Sequence, residues 1–406
     1  MRGKHRQRAF FGNRKLVFVS IVSALLVSGL CASASLASRE SAITASSFTR
    51  SFSVMVSLKS IAAMGKGKVG VILPGAVSSA RYTEFDATYL LDAPYLKEAF
   101  TKAGLSSSDF TIQNAQGSDS TQLTDAQGDI SAGATVLVVD PLDSGVGAQI
   151  ESYAKSHGVK VIDYDRLTLG GSRGYYVSFN NVKVGTLLGQ GLVSCVAAWH
   201  VAKPQVIVMR GAPTDNNATL SYNGYNAVLS PLFKAGKWVD LSNPAGTSTP
   251  TVAETEFQQA FTAHETANAA LIPDDENGAP IIRYLQKQGL KPDTFPMTGQ
   301  DATLIGLQNI IAGYQCGTVY KPTYLEARAA AALALYLRAG QTPPTALANG
   351  TTEDTTEHVA VPSVLLTPEW VTPSTMQTTV IADNFVTAKA LCAGKYAADC
   401  SKYGIH

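Results

Sequence analysis

The sequence has almost no excess of charge: 32 Lys and Arg stand against 31 Asp and Glu in 406 residues, a formal balance of +1. That leaves no electrostatic footprint for nucleic acid or for a polyanionic substrate, so neither is expected as a partner. Catalytic signatures are equally sparse. The six histidines are scattered without an H-E-x-x-H pair. No C-x-x-C exists for zinc or redox work, and no nucleophile elbow of the G-x-S-x-G type joins a strand to a helix. No catalytic set, no metal site and no cofactor is therefore expected. A literal glycine fingerprint, Gly65-x-Gly67-x-x-Gly70, precedes the first strand instead of following one, which disqualifies it as a dinucleotide loop. A long membrane span is missing too, because the apolar run "LVFVSIVSALLVSGL" is short for a bilayer.

What is present at the N-terminus is a basic stretch, "MRGKHRQRAFFGNRK", followed by that apolar run and then by "CASASLAS". Charged, apolar and small-residue regions in this order predict a secretory signal peptide over residues 1–37, with a retained anchor as the competing reading. The expected location is extracytoplasmic, either periplasmic or cell-surface. Cys31 stands where a lipid-anchored cysteine would stand, although Leu30 before it is bulky for that signal. Residues 38–67, rich in Ser, Ala and Lys, read as a flexible lead-in.

From Lys68 onward, 45% hydrophobic and 16% charged residues supply core for two domains of ordinary size. Almost continuously apolar runs alternate with helical patterns: "KVGVIL", "DFTIQNA", "TVLVVD", "KVIDYD" and "YYVSF", then "PQVIVMR", "NAALIPD", "FPMTGQD" and "CGTVYKP". Such runs are how parallel strands covered on both faces read, which predicts an α/β fold of two doubly wound lobes in tandem. In open α/β sheets ligands collect at the carboxyl ends of the strands. The polar residues found there are Arg81 and Tyr82, Asp165 and Arg166, then Asp215, Asn216 and Asn217 in "GAPTDNNATL", Asp274 and Asp275, Asp301, and Lys321. Carboxylates, amides and cations of this kind grip vicinal hydroxyls through paired hydrogen bonds and include no nucleophile. A sugar is the expected guest.

The motifs "YDRL" (164–167), "YVSFNNVKVG" (176–185), "DNNA" (215–218), "GQDA" (299–302), "TVYKP" (318–322) and "LLTP" (365–368) occur in this order and spacing. In them the chain resembles the extracytoplasmic sugar-binding proteins of the ribose/xylose type, and most of all their D-xylose-binding branch, over residues 68 to about 368. The resemblance implies a type I periplasmic binding protein: two lobes joined by a three-crossover hinge, capturing a monosaccharide for an ATP-driven importer. It places a first lobe at 68–179 plus 322–362 and a second at 180–321 plus 363–406, with crossings near Phe179-Asn180, at Lys321-Pro322 and near Pro362. The partners implied are a pentose or related aldose, a membrane permease and an ATPase, with the receptor itself a monomer. Arg166, Asn217, Asp301 and Lys321 match family positions that bind the sugar, Arg81 matches an arginine after the first strand, and Tyr82 an aromatic ring. Asp165 and Asp274 complete the expected ligand set. Two departures bear on the sugar: "GTSTPT", with Ser248 or Thr249, stands where the xylose branch has a tryptophan, and Asp274 where the family has an asparagine.

Each of these residues also has a plain structural explanation. Asp215 and Asp301 are good helix caps, Asp165-Arg166 could close a loop as a surface pair, and Lys321 could be a solvated charge. A secreted carbohydrate-active enzyme and a sugar receptor for chemotaxis or signalling are the rival functions. Apart from Cys31, four cysteines remain, which an exported protein oxidises. Of the three pairings the preferred one is Cys392 with Cys400 and Cys195 with Cys316.

Overall fold

A computed structural model describes residues 43–75 and 92–406. The expected signal peptide, Cys31, Arg81 and Tyr82 lie outside the described residues. The chain enters through two short helices, α1 (Ser53–Ser57) and α2 (Lys59–Met64). Strands and helices then alternate: β1 (Lys68–Leu73), α3 (Asp92–Lys102), β2 (Phe110–Asn114), α4 (Asp119–Ser131), β3 (Ala134–Val139), α5 (Ser144–Ser156), β4 (Lys160–Tyr164) and β5 (Tyr175–Phe179). A second series runs through α6 (Asn181–Ala198), β6 (Gln205–Val208), α7 (Asn216–Lys234), β7 (Val239–Ser242), α8 (Pro250–Ala263), β8 (Ala269–Leu271), α9 (Asp275–Lys287), α10 (Leu304–Ile311) and β9 (Thr318–Tyr320). Helix α11 (Thr323–Arg338), strands β10 (Gly350–Asp354), β11 (Val359–Leu366) and β12 (Glu369–Val371), and the short helices α12 (Ala388–Leu391) and α13 (Ala397–Lys402) complete it.

The first sheet has the order β2-β1-β3-β4-β5-β11-β10, parallel throughout except for the antiparallel pair β10-β11. In β1 every residue from Val69 to Leu73 is buried, as expected of a strand with helices on both faces. The second sheet repeats the same winding. Its regular part is β7-β6-β8, parallel. The expected strand "FPMTGQD" then joins it as an extended segment: Ala270 N donates to Pro296 O at 3.0 Å, and Val319 N donates to Gly299 O at 2.9 Å. This segment carries the sheet on to β9 and its antiparallel neighbour β12. Both sheets therefore reverse direction between their first and third strands, β1/β3 in one lobe and β6/β8 in the other, where a doubly wound fold opens a crevice.

Three strands of chain pass between the sheets. β5 leads into α6, which packs on α7 so closely that a Cβ on Gly185 would overlap the carbonyl of Ser221. β9 leads into α11, which packs on α3 and against β3, β4 and β5 of the first sheet. The third crossing comes later than Pro362. That proline sits within β11 opposite Thr351, and Ser363 to Leu366 go on pairing with Tyr176 to Phe179, so the chain leaves the first sheet only at Thr367-Pro368. Pro362 is exposed and Val364 and Leu366 are buried, so burying the rest of the strand outweighs the amide the proline lacks.

The lead-in also departs from expectation. Phe48, Met55, Leu58 and Ala62 are buried, and the Arg328 guanidinium lies 3.9 Å over the Phe52 ring while donating to the carbonyls of Thr49 and Ser51. Their spacing of three and four residues is that of a helical stripe, and it docks this segment on the first lobe. Both preferred disulfides are formed: Cys195–Cys316 ties α6 to the turn before β9, with Cα atoms 5.9 Å apart, and Cys392–Cys400 closes a C-terminal loop.

Candidate functional site

The fourth strand of each lobe ends in the same device. Asp165 after β4 has φ 59°, and Asp301 after the segment 296–300 has φ 85°. Each donates its amide to the fifth strand of its own lobe, Asp165 to Val177 O at 2.8 Å and Asp301 to Val319 O at 2.8 Å. The left-handed backbone turns the chain off the sheet there, and aspartate is among the few side chains that accept it readily.

In the first lobe this turn delivers Arg166. Its Nη1 donates to Pro141 O at 3.3 Å, and its Nε lies 3.9 Å from Asp140 Oδ1 and 3.7 Å from Asp215 Oδ2. Asp215 stands on the opposite lobe, capping α7 by accepting from Asn217 N at 2.8 Å. Burial raises the Asp215 carboxyl from its ordinary value, while Arg166 and, more weakly, Lys321 hold it down against the charge of Asp165. Arg166, Asp165, Asp215 and Lys321 thus share one electrostatic neighbourhood.

Asn217 does more than await a ligand. Its Nδ2 donates to Asp165 O at 2.8 Å, and its Oδ1 accepts from Tyr176 Oη at 2.8 Å and from Asn181 Nδ2 at 2.9 Å. Asp165 and Tyr176 belong to the first sheet, Asn217 to α7, so this amide clasps the lobes beside the crossing at Asn180.

In the second lobe Asp274 caps α9, accepting from Asn277 N at 2.7 Å and Asn277 Nδ2 at 2.8 Å. Burial pushes its carboxyl up to about 8; the Asn277 amide opposes this, and the nearby charges of Asp301, Glu276 and Asp275 add to it. The Asn277 amide also reaches Thr247 O at 2.9 Å, so the "GTSTPT" loop and Asp274 are direct neighbours. Asp275, one residue on, is a hub inside the fold. Fully buried, it accepts from Gln315 Nε2 at 2.7 Å, Thr303 N at 2.8 Å and Thr318 Oγ1 at 3.2 Å, and a Cβ on Gly299 or Gly306 would overlap it. Burial pushes its carboxyl up to about 7 despite those bonds. Lys321, whose side chain is 7% exposed, places Nζ 3.1 Å from Asp301 Oδ1, while the Asp301 side chain stays 37% exposed.

The structure thus gathers six of the eight expected residues, Asp165, Arg166, Asn217, Asp274, Asp301 and Lys321, at the carboxyl ends of the two sheets. It brings in Asp215, a strand-end acid outside the expected ligand set, and adds Asp140, Tyr176 and Asn181. Asp140 had a readable signal, an acid closing the apolar run "TVLVVD"; Tyr176 and Asn181 had none beyond their place in "YVSFNNVKVG". One literal G-x-S-x-G string, Gly170 to Gly174, lies between β4 and β5 and leads into a strand, which is not the geometry of a nucleophile elbow. Among the described residues no group of three His, Cys, Asp or Glu is placed to hold a metal ion.

Two doubly wound lobes, three crossings and facing polar strand ends define a two-lobed binding protein, in which a ligand is enclosed between the sheets. Residues 86–342 match the family model described as the periplasmic binding protein domain, and the chain belongs to that family. It is 36% identical over 284 residues to the D-xylose-binding periplasmic protein of Escherichia coli (strain K12), covering 68% of this chain and 80% of the relative. It is 30% identical over 340 residues to the multiple sugar-binding periplasmic protein SbpA of Azospirillum brasilense, covering 80% and 91%. Among solved structures, a carbohydrate transporter solute binding protein from Chloroflexus aurantiacus in complex with D-glucose superposes with a TM-score of 0.69 at 25% identity, over 79% of this chain and 97% of that one. An ABC transporter solute binding protein from Clostridium phytofermentans with bound β-D-glucose gives 0.70 at 23% identity, over 80% and 99%. The expected fold class is theirs. The family consists of extracytoplasmic solute-binding proteins rather than enzymes.

Proposed function

We propose that the protein is an extracytoplasmic receptor that encloses a monosaccharide between its lobes and hands it unchanged to the permease and ATPase of an ABC importer. The observation that carries this reading is the convergence of Arg166 and Asp165 from one lobe with Asp215, Asn217, Asp301 and Lys321 from the other. Carboxylates accept from hydroxyls and the guanidinium and ammonium donate to them, and enclosure strengthens each bond by excluding water. Residues 1–37 are the export signal: cleavage after Ala37 removes Cys31, whereas cleavage just before Cys31 leaves it to carry a lipid anchor. The receptor acts as a monomer, and its lobes close about the hinge.

The sugar is one with more hydroxyls than xylose, or with a different configuration. Asp274 and the "GTSTPT" loop, the two departures from the xylose branch, adjoin each other through Asn277, so one edge of the cleft exchanges an amide for a carboxyl, which is acceptor-only once ionised, where it loses a stacking ring. Calorimetric titration of the mature protein with a panel of pentoses and hexoses, with NMR of the bound sugar, tests both parts. One sugar should bind reversibly and be recovered intact. Turnover into a new species would replace the receptor with a carbohydrate-active enzyme, and xylose ranking first would overturn the specificity alone.

A further inference from the structure

The loop that presents Asp165 and Arg166 is tied down on its far side by buried carboxylates. Thr168 N donates to Asp163 Oδ2 at 2.7 Å and Thr168 Oγ1 to Asp163 Oδ1 at 3.3 Å. Gly170 N donates to both oxygens of Asp354, at 3.0 and 3.1 Å, and Ser172 N donates to Glu151 Oε2. Arg173 Nη1 donates to Thr168 O at 2.5 Å and lies 3.9 Å from Glu151, while its Nη2 pairs with Asp354. Three of the loop's amides thus end on three different carboxylates, contributed by β4, α5 and β10.

The charges of this cluster do not balance. Asp163 and Asp354 are fully buried and Glu151 is 1% exposed, and among the described residues Arg173 alone pairs with this group. Three carboxylates around one guanidinium leave two uncompensated negative charges away from water, which a protein interior relieves by taking up a proton. Asp354 is not the group that takes it: although burial opposes, the amides of Gly170, Glu357 and Thr356 and the charge of Arg173 hold it below its ordinary value. Glu151 Oε1, in contrast, is buried and has no hydrogen-bond donor. A carboxyl proton on its neighbour Asp163 would supply one.

We infer that Asp163 carries a proton that it donates to Glu151 Oε1, and that this proton locks the 166–174 loop and so positions Arg166 for the ligand. The groups facing Asp163 are Glu151 from α5, and Arg173 and the Thr168 amide from the loop itself. Burial raises the Asp163 carboxyl well above its ordinary value and the Glu151 charge raises it further, against the Thr168 amide and Arg173. The sign follows directly: the locked form persists below that raised value and is lost as pH rises through it.

The effect on affinity rests on the sugar-receptor reading, so the test has one arm that does not. Hydrogen exchange of the 166–174 amides, corrected for the intrinsic rate, is followed from pH 6 to 10 in the wild type, Asp163→Asn and Asp163→Ala. Titrations with D-glucose and D-xylose are run on the same samples. One pH unit above the midpoint only about a tenth of the chains stay locked, so the apparent Kd for the sugar that binds should rise about tenfold. Asp163→Asn, whose amide donates where the proton did, should keep the loop protected and remove that part of the pH dependence; the contribution of Asp274 remains in both proteins and cancels in the comparison. Asp163→Ala should leave the loop exchanging fast and Arg166 misplaced at every pH. Superimposable exchange profiles for wild type and Asp163→Asn would overturn the Asp163 proton. If neither sugar binds, the receptor reading falls while the exchange arm still decides the lock.

Discussion

Replacing Asn217 by alanine removes both direct hydrogen bonds by which its amide joins the lobes, to Asp165 O and from Tyr176 Oη, each at 2.8 Å. A net contribution of about 1 kcal/mol for each bond destabilises the closed arrangement relative to the open one by about 2 kcal/mol, roughly a thirtyfold shift in the ratio. Tyr176→Phe keeps the bond to Asp165 O and removes the phenol, whose one proton serves either Asn217 Oδ1 or Asp165 O, each at 2.8 Å, so it should shift the ratio by at most about fivefold, and the phenol has no part in the proposed ligand set. Tyr176 is fully buried, but Tyr176→Phe keeps its ring, and Asn217 is only half-buried, so thermal stability should move little. Energy transfer between dyes at Ser120 on α4 and Thr251 on α8, both exposed and one in each lobe, reads the closed fraction without any sugar. The expected order of closure is wild type, then Tyr176→Phe, then Asn217→Ala, with affinity following the closed fraction. Equal transfer efficiency in all three proteins would refute the clasp and return Asn217 to a ligand role alone.

Asp301→Ala and Arg166→Ala, one from each lobe, should each cost about 1.5 to 3 kcal/mol of binding, ten- to a hundredfold by titration, because each leaves ligand hydroxyls unpaired. Asp301→Ala also strips the nearly buried Lys321 of its carboxylate at 3.1 Å, so Asp301→Asn should be milder than Asp301→Ala. Asp274, with its carboxyl raised to about 8, retains a proton that the unfolded chain releases above its ordinary value of 3.8. Stability should therefore fall as pH rises between those limits, Asp274→Asn should flatten that part of the denaturation midpoint against pH, and its affinity ratio should move toward xylose. Breaking Cys195–Cys316, which closes 121 residues, should cost more in denaturant melts than breaking Cys392–Cys400, which closes 8: about 5 against about 2.5 kcal/mol from loop entropy.

The first lobe was legible because its strands are apolar runs with no competing reading, and the disulfides because four cysteines allow few pairings. What escaped depended on packing. The stripe of Met55, Leu58 and Ala62 has helical spacing, but it is short and follows a Ser-rich stretch, and it is docking on the first lobe that buries it. Pro362 reads as a boundary, yet the side chains after it keep the alternation that buries Val364 and Leu366. Adjacent Asp274 and Asp275 are indistinguishable in sequence, while in the fold one caps a helix at the cleft and the other is enclosed by Gln315, Thr303 and Thr318. "DNNA" marked Asn217 correctly as a strand-end amide, but its partners Tyr176 and Asn181 lie 41 and 36 residues away and are brought to it only by the crossing at Asn180.

The left-handed turns at Asp165 and Asp301 also limit how such a receptor can change its diet. A backbone at φ 59° or 85° strains nearly every side chain except glycine, asparagine and aspartate. At these two positions, mutation can offer a sugar an acid, an amide or nothing, and little else survives folding. New preferences must then arise at neighbours with ordinary backbones, such as Arg166, Asn217 and Asp274. The lineage would keep the two acids as fixed posts and vary the groups strung between them.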